Sequence, residues 1–340
     1  MFGKKRVFAF VLLSLAAFSF LGASVMGSTP VAEVPKTPTD ANTRTLAGNE
    51  AFTLLMLGKD RAAELCDVLM LVSYRPSEGS LCVVQIPRDT YFAYTDGSYR
   101  KINAAARVLG GADKLKTRLS DVLGVPVDGY VEFDLDFVRQ AVDMVGGVEI
   151  DVPCDMDYDD PEQDLSIHLE KGIQTLTGAQ AVEFIRFRSG YLCADLGRMD
   201  AQKLFLASFA RAFSRRVDAS ELPRMLLMSI GHFKTDVRFD TLLSLLTDLR
   251  RVSMDNITVF TLPGEEYRSE VSGAWYYILS HDGCETAIAD YLAGDEYTGF
   301  DRGGLFTDKK RAAIEEIYHR NIPPIPYTFT GLEEKGVTVE

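Results

Sequence analysis

The sequence predicts an α/β protein: an α-β-α sandwich with a mixed central β-sheet, preceded by one N-terminal transmembrane helix. Three observations predict it. Residues 52–58 (FTLLMLG), 68–74 (VLMLVSY) and 81–86 (LCVVQI) are short, nearly continuous apolar runs, the pattern of strands buried on both faces. Segments of helical periodicity alternate with further strands downstream, as in layered α/β folds. An uncharged stretch, Val7 to Met26, follows Lys4, Lys5 and Arg6.

That stretch suits the about 20 apolar residues a helix needs to cross the hydrocarbon core of a bilayer. The basic residues 1–6 precede it, so the positive-inside rule keeps them in the cytoplasm and places the rest outside. A cleaved signal peptide has a similar plan, with Gly22-Ala23-Ser24 as its small residues, but a shorter apolar run is usual there. The expectation is therefore an uncleaved signal-anchor at 7–26. Residues 27–48, rich in Pro, Thr and Ala, read as a flexible linker. Residues 49–292 are then an extracytoplasmic domain, and residues 293–340, polar and proline-containing, an irregular C-terminal extension.

Within the domain, RPSEGS (75–80) joins the second and third apolar runs as a hairpin turn. Residues 112–123 put Leu115, Leu119, Val122 and Leu123 on one helical face, and Gly124 ends that helix. YVEF (130–133) is a strand, and Asp134 caps a helix that buries Phe137, Val138, Ala141 and Val145. Gly146-Gly147 stops it before the strand VEIDV (148–152). Thr177-Gly178-Ala179-Gln180 fits a capping box, opening a helix expected to run to about Phe184. Arg186 and Arg188 then share one face if the backbone is extended. A long helix is expected beyond Gly197, with Leu204, Phe205, Phe209 and Phe213 as its apolar stripe. Residues 239–252 form an amphipathic helix and 257–264 a strand and turn.

The net charge of −13 argues against nucleic acid, whose phosphates would be repelled. Five cysteines, at 66, 82, 154, 193 and 284, leave at least one free thiol. With no CxxC pair and four histidines, a structural zinc site is not expected. Cys82 reads as a small core residue, and a Cys154–Cys193 disulfide is left open by the sequence.

Against the acidic background, three arginines gather at 186, 188 and 198. Arginine's planar fork suits phosphate oxygens, and several converging arginines suit a di- or polyphosphate. Arg88 and Asp89 follow a buried strand in QIPRDTYF, and Lys101 lies in SYRKINAAA. Strand ends are the usual seat of functional side chains in α/β sheets. Asp60 and Asp67, at adjacent strand ends, could hold Mg²⁺, which takes a few carboxylates with phosphate oxygens and water. Each residue also has a plainer reading. Arg88 and Asp89 suit a surface pair, and Asp195/Arg198 a helix-start salt bridge worth about 0.5 kcal/mol or less.

The order of the motifs is more specific. FTLLMLGKD, CDVLMLVSY, IPRDTY, KINAA, GGVEIDVP, LTGAQAVEFIRFR and DLGRMDAQ resemble, in this succession, the LytR-CpsA-Psr family over residues 50–215, with weaker likeness to about 292. That resemblance implies an extracytoplasmic phosphotransferase. It would move an anionic glycopolymer, of teichoic acid or capsule type, from a polyprenyl-pyrophosphate carrier to peptidoglycan. It implies Asp60 and Asp67 as ligands of Mg²⁺, or of Mn²⁺ in its place. It implies Arg88, Lys101, Arg186, Arg188 and Arg198 as the pyrophosphate-binding set. Asp89, Asp195 and Gln202 would orient these groups or handle the acceptor proton, with Asp89 the first choice of base and Asp195 the second. Catalysis would rest on Asp89, Arg88, Arg186 and Asp195. A long hydrophobic pocket for the lipid is implied too, and the Leu- and Phe-rich segments 203–213 and 222–230 are candidates to line it, although such stripes are more often plain core.

The chain departs from the family pattern at Cys66 and Val68 beside Asp67, at Ala106 after KINAA, and at Ala201 before Gln202. Two other readings stand beside the transferase: a polyprenyl-pyrophosphate hydrolase at the same site, and a non-catalytic lipid-binding or regulatory wall protein.

Overall fold

The computed structural model describes residues 51–59, 64–161, 165–191, 194–218, 220, 233–249, 252–293 and 297–335. The expected signal-anchor and linker, Asp60, Cys193 and the segment 222–230 lie outside these residues. Among the described residues no helix is long and apolar enough to cross a membrane.

The three apolar runs become an antiparallel meander: β1 (Phe52–Lys59), β2 (Cys66–Arg75) and β3 (Ser80–Gln85). A small hairpin follows, β4 (Tyr91–Ala93) and β5 (Tyr99–Lys101), then helices α1 (Ala105–Leu109) and α2 (Ala112–Leu123). Gly124 ends α2 in the left-handed conformation, at φ +66°. β6 (Gly129–Asp134) leads into α3 (Leu135–Met144), where the Asp134 carboxylate accepts from the Phe137 amide at 3.0 Å as the N-cap.

Four strands come next: β7 (Val148–Val152), β8 (Met156–Asp160), β9 (Leu165–Leu169) and β10 (Gly172–Leu176). β7 pairs with β10 and β8 with β9, so VEIDV lies in a two-stranded sheet and not in the central one. The capping box opens α4 (Gly178–Arg186) as expected, and the long helix is α5 (Ala194–Arg216), which starts before Gly197. The chain continues through β11 (Phe233–Thr235), α6 (Phe239–Leu249), β12 (Ile257–Thr261), the hairpin β13 (Gly264–Arg268) and β14 (Trp275–Leu279), and α7 (His281–Tyr291). It closes with α8 (Ala312–Tyr318), β15 (Tyr327–Thr328) and α9 (Phe329–Lys335).

The central sheet is mixed and seven-stranded, in the order β11-β6-β1-β2-β3-β12-β15. Because side chains alternate along a strand, the apolar runs feed two cores. Leu54, Met56, Met70, Val72 and Val83 join one core with α3, α4, α5 and α6; Leu55, Leu57, Leu69, Leu71 and Val84 join the other with α2 and α7. The sheet is thus covered on both faces, as the α-β-α expectation requires. β1, β3, β6 and β12 all end at one edge, where β2 begins.

The C-terminal extension is not irregular. It carries α8 and α9, adds β15 to the sheet and is tied to the domain along 297–308. Thr298 donates its amide to the Gly124 carbonyl at 3.0 Å, Asp301 to Val122 at 2.7 Å, and Ala93 of β4 donates to Leu305 at 2.8 Å. Asp301 is buried with φ +47°, and its carboxylate accepts from the amides of Leu305 and Phe306 and from the Tyr318 hydroxyl. The scarcity of long apolar runs in the segment hid this, because buried polar caps and not a core stripe hold it.

Gly124 joins both parts. A Cβ there would meet the Gly299 carbonyl oxygen at 2.3 Å, and the positive φ already disfavours a side chain. Gly124→Ala should cost about 2–3 kcal/mol by strain and overpacking together, read as a lower urea midpoint with an unchanged slope.

Candidate active site

The edge where β2 begins and β3 ends is built by strand register. Met70 pairs with Gln85, and the Ile86 amide donates to the Leu69 carbonyl at 2.9 Å. Continuing outward, Arg88 comes beside Asp67. Arg88 Nη1 donates to Asp67 Oδ1 at 2.6 Å, and its Nε lies 3.7 Å from Asp89 Oδ1. Lys101, at the end of β5, donates from Nζ to Asp89 Oδ2 at 2.8 Å. The fold therefore joins Asp67, Arg88, Asp89 and Lys101 into one chain of alternating charge.

Arg198 and Gln202 reach the same place from α5, one helical turn apart, and both are buried. Together with Asp67, Arg88, Gln85 and Met199 they line a small open cleft of mixed polar and apolar character. Gln202 donates from Nε2 to the Ile185 carbonyl, at 3.4 Å, which brings the end of α4 alongside. Gln85 donates to the Met199 carbonyl at 3.2 Å and its Oε1 accepts from Thr261, which fixes α5 against the sheet. Gln85 escaped sequence reasoning; its signal was a buried amide closing an otherwise apolar strand, LCVVQ.

Val68, Met70 and Gln202 line this cleft and a second one behind it. That second cleft is open to solvent and almost wholly apolar, walled by Met56, Val72, Phe133, Val138, Ala141, Ile185, Phe205, Leu206 and Phe209. Its walls come from one face of the sheet and from α3, α4 and α5. The stripe at 203–213 thus lines a chamber as well as packing the core.

Arg186 and Arg188 do not share an extended face. α4 runs on to Arg186, because the Phe187 amide still donates to Glu183 and the Phe187 ring is buried edge-on against Tyr191. Arg186 is thus helical and half-buried, next to Ile185 at the chamber wall, while Arg188 is exposed beyond the helix end. Neither is in the cleft lining. Asp195 falls in the first turn of α5, and its side chain is outside the described residues.

The departures from the family pattern have local causes. Cys66 is buried, and burial pushes its thiol up to about 12 against the opposing pull of Lys59. Ala201 is fully buried among apolar residues on α5, where an arginine would have no room. Ala106, in the first turn of α1, is likewise buried. Cys154 is a free thiol.

Of the two carboxylates expected to hold a divalent cation, Asp67 is described, and its Oδ1 is engaged by Arg88. Among the described residues no group of three or more His, Cys, Asp or Glu could hold a metal. This donor set fits an ion whose remaining ligands are phosphate oxygens and water, as is usual for Mg²⁺, and does not fit an all-protein cage.

Known proteins share this architecture. The chain is 27% identical over 235 residues to the polyisoprenyl-teichoic acid–peptidoglycan teichoic acid transferase TagV of Bacillus subtilis, covering 66% of this chain and 60% of that protein. It is 29% identical over 244 residues to TagU of Oceanobacillus iheyensis, which carries the same activity name, covering 68% of this chain and 72% of that protein. The crystal structure of B. subtilis TagV superposes with a TM-score of 0.62 at 26% identity, over 74% of this chain and 99% of that one. The sequence model of the LytR_cpsA_psr family matches residues 23–290, so the chain belongs to the LytR-CpsA-Psr family.

Proposed function

We propose that the chain is an extracytoplasmic, single-pass membrane phosphotransferase. It moves an anionic glycopolymer from a polyprenyl-pyrophosphate carrier to peptidoglycan. One observation carries this reading: an almost wholly apolar cleft under α3, α4 and α5 meets a cleft lined by Arg88 and Arg198. Such a site suits an amphiphile with a long hydrocarbon tail and a phosphate head. The activity named for TagV and TagU supports the same reading.

In this mechanism the tail lies among Met56, Met70, Phe205 and Phe209. The pyrophosphate lies at Arg88, Arg198 and Lys101, with Gln202 at the junction and Arg186 and Arg188 approaching from the α4 end. An acceptor sugar hydroxyl attacks the phosphorus next to the glycan. The new P–O bond joins polymer to acceptor, the bridging P–O bond breaks, and polyprenyl monophosphate leaves. The guanidinium groups stabilise the charge that builds on the phosphoryl oxygens in a partly dehydrated cleft. Asp89 takes the hydroxyl proton, Lys101 and Arg88 holding its carboxylate in place; Asp195 is the second candidate. Mg²⁺, held by Asp67 and Asp60, would neutralise pyrophosphate oxygens when bound.

The test uses the full-length chain in detergent with a polyprenyl-pyrophosphate oligosaccharide, Mg²⁺ and peptidoglycan, following the saccharide. Saccharide attached to peptidoglycan is expected. Arg88→Ala and Asp67→Ala should each lower that rate about 100- to 1,000-fold, the scale of losing one group that stabilises developing charge. Release of free sugar phosphate regardless of acceptor would instead make the protein a hydrolase. Ala141→Leu projects into the chamber and should raise KM for a long-chain carrier about tenfold, by roughly the worth of one or two displaced methylene contacts, while a short-chain carrier is turned over as before.

A further inference from the structure

The hairpin β13–β14 is joined directly to the catalytic loop. The Tyr277 amide donates to the Asp89 carbonyl at 2.9 Å, and Thr90 forms a parallel bridge with Tyr277. The Tyr91 ring meets Tyr276 edge-on at 5.2 Å and stacks on Tyr99 at 4.8 Å. Two residues before Tyr277 on β14, about 7 Å along the strand, stands Trp275. It is the only tryptophan in the chain, and it is 53% exposed. The Arg268 guanidinium lies 5.8 Å from its ring centre, on the paired position of β13, and steadies the indole. A large aromatic held out to solvent, on a strand bonded to the backbone of a catalytic residue, is pre-positioned for a ligand.

Two observations say which ligand. The hairpin tyrosines pack into the core on one face of the sheet, and the apolar chamber is walled by the other face. The hairpin that carries Trp275 therefore meets the Asp89 backbone from the side away from the lipid. The hairpin is also weakly acidic, with Glu265, Glu266 and Glu270 set against Arg268 at the indole and Arg320, which pairs with Glu265. That charge repels a polyanionic polymer and an anionic membrane surface. It leaves room for a sugar chain of low charge density, whose axial C–H bonds carry partial positive charge and lie well on the negative face of an aromatic ring.

Resting on the transferase reading, we propose that Trp275 is a stacking subsite for the acceptor, a β-linked N-acetylhexosamine chain, seating its hydroxyl beside Asp89. Trp275 is a positioning residue here, since it touches a sugar other than the one that reacts.

The lone tryptophan makes the test direct. Its fluorescence in the full-length protein is followed while a tetrasaccharide of alternating N-acetylglucosamine and N-acetylmuramic acid is added. A saturable blue shift or quench is expected, and it should persist in Arg88→Ala, whose donor site is damaged. In the transfer assay Trp275→Ala should raise KM for acceptor about tenfold with kcat within about twofold, and Trp275→Phe should restore most of the loss. No fluorescence response to the tetrasaccharide would overturn the proposal. So would a response only to poly(glycerol phosphate), or only to phosphatidylglycerol vesicles. A tetrasaccharide response in a protein that transfers nothing would sink the transferase reading and leave the subsite supported.

Discussion

The site depends on the antiparallel register between β2 and β3. With Met70 opposite Gln85, Arg88 comes to rest against Asp67 and Asp89 is turned toward Lys101. A slip of one residue would send every side chain of a strand to the other face. Val68 and Met70 would leave the chamber wall for the opposite core, and the arginine would lose its carboxylate. The long hydrophobic ladder on both sides of these strands, with Leu54, Leu55, Leu71, Val83 and Val84 almost inaccessible, is what holds that register.

Given that register, the sheet acts as a partition. One face carries the apolar chamber under α3, α4 and α5, and the other carries the tyrosine-rich packing of β4, β5 and the β13–β14 hairpin. The charges of the site sit at the edge where strands end. Only there can ionic groups reach both water and a ligand without the desolvation cost of the interior. An amphiphile and a polar reactant can thus meet at one line while staying in separate compartments.

Much of this was legible in the sequence, and the failures have physical reasons. Apolar runs gave the strands because burial on both faces leaves no polar position. Thr177 with Gln180, Asp134 and Gly124 marked helix ends because caps need particular side chains or a left-handed φ. The order of IPRDTY, KINAA and the arginines marked the family. Pairing was less legible: nothing in VEIDV distinguishes a partner in the central sheet from β10. The chamber was equally hidden, since Phe205 and Phe209 are 6% and 2% exposed and look the same in sequence whether they fill space or line it. Arg186 and Arg188 were misplaced because a helix end depends on where the next ring, Phe187, finds burial. The C-terminal extension was misread because its contacts are backbone hydrogen bonds and a buried acid, which leave no periodic trace.

The central sheet finishes, among the described residues, in β11 with three residues on one side and β15 with two on the other. Edges so short offer a neighbouring chain almost no unpaired amides and carbonyls to continue a ladder. The last strand is supplied by the extension, directly before α9 folds back beside it. The extension therefore works as a seal against strand-to-strand aggregation, a safeguard for a β-rich protein while β12 would otherwise be the open margin.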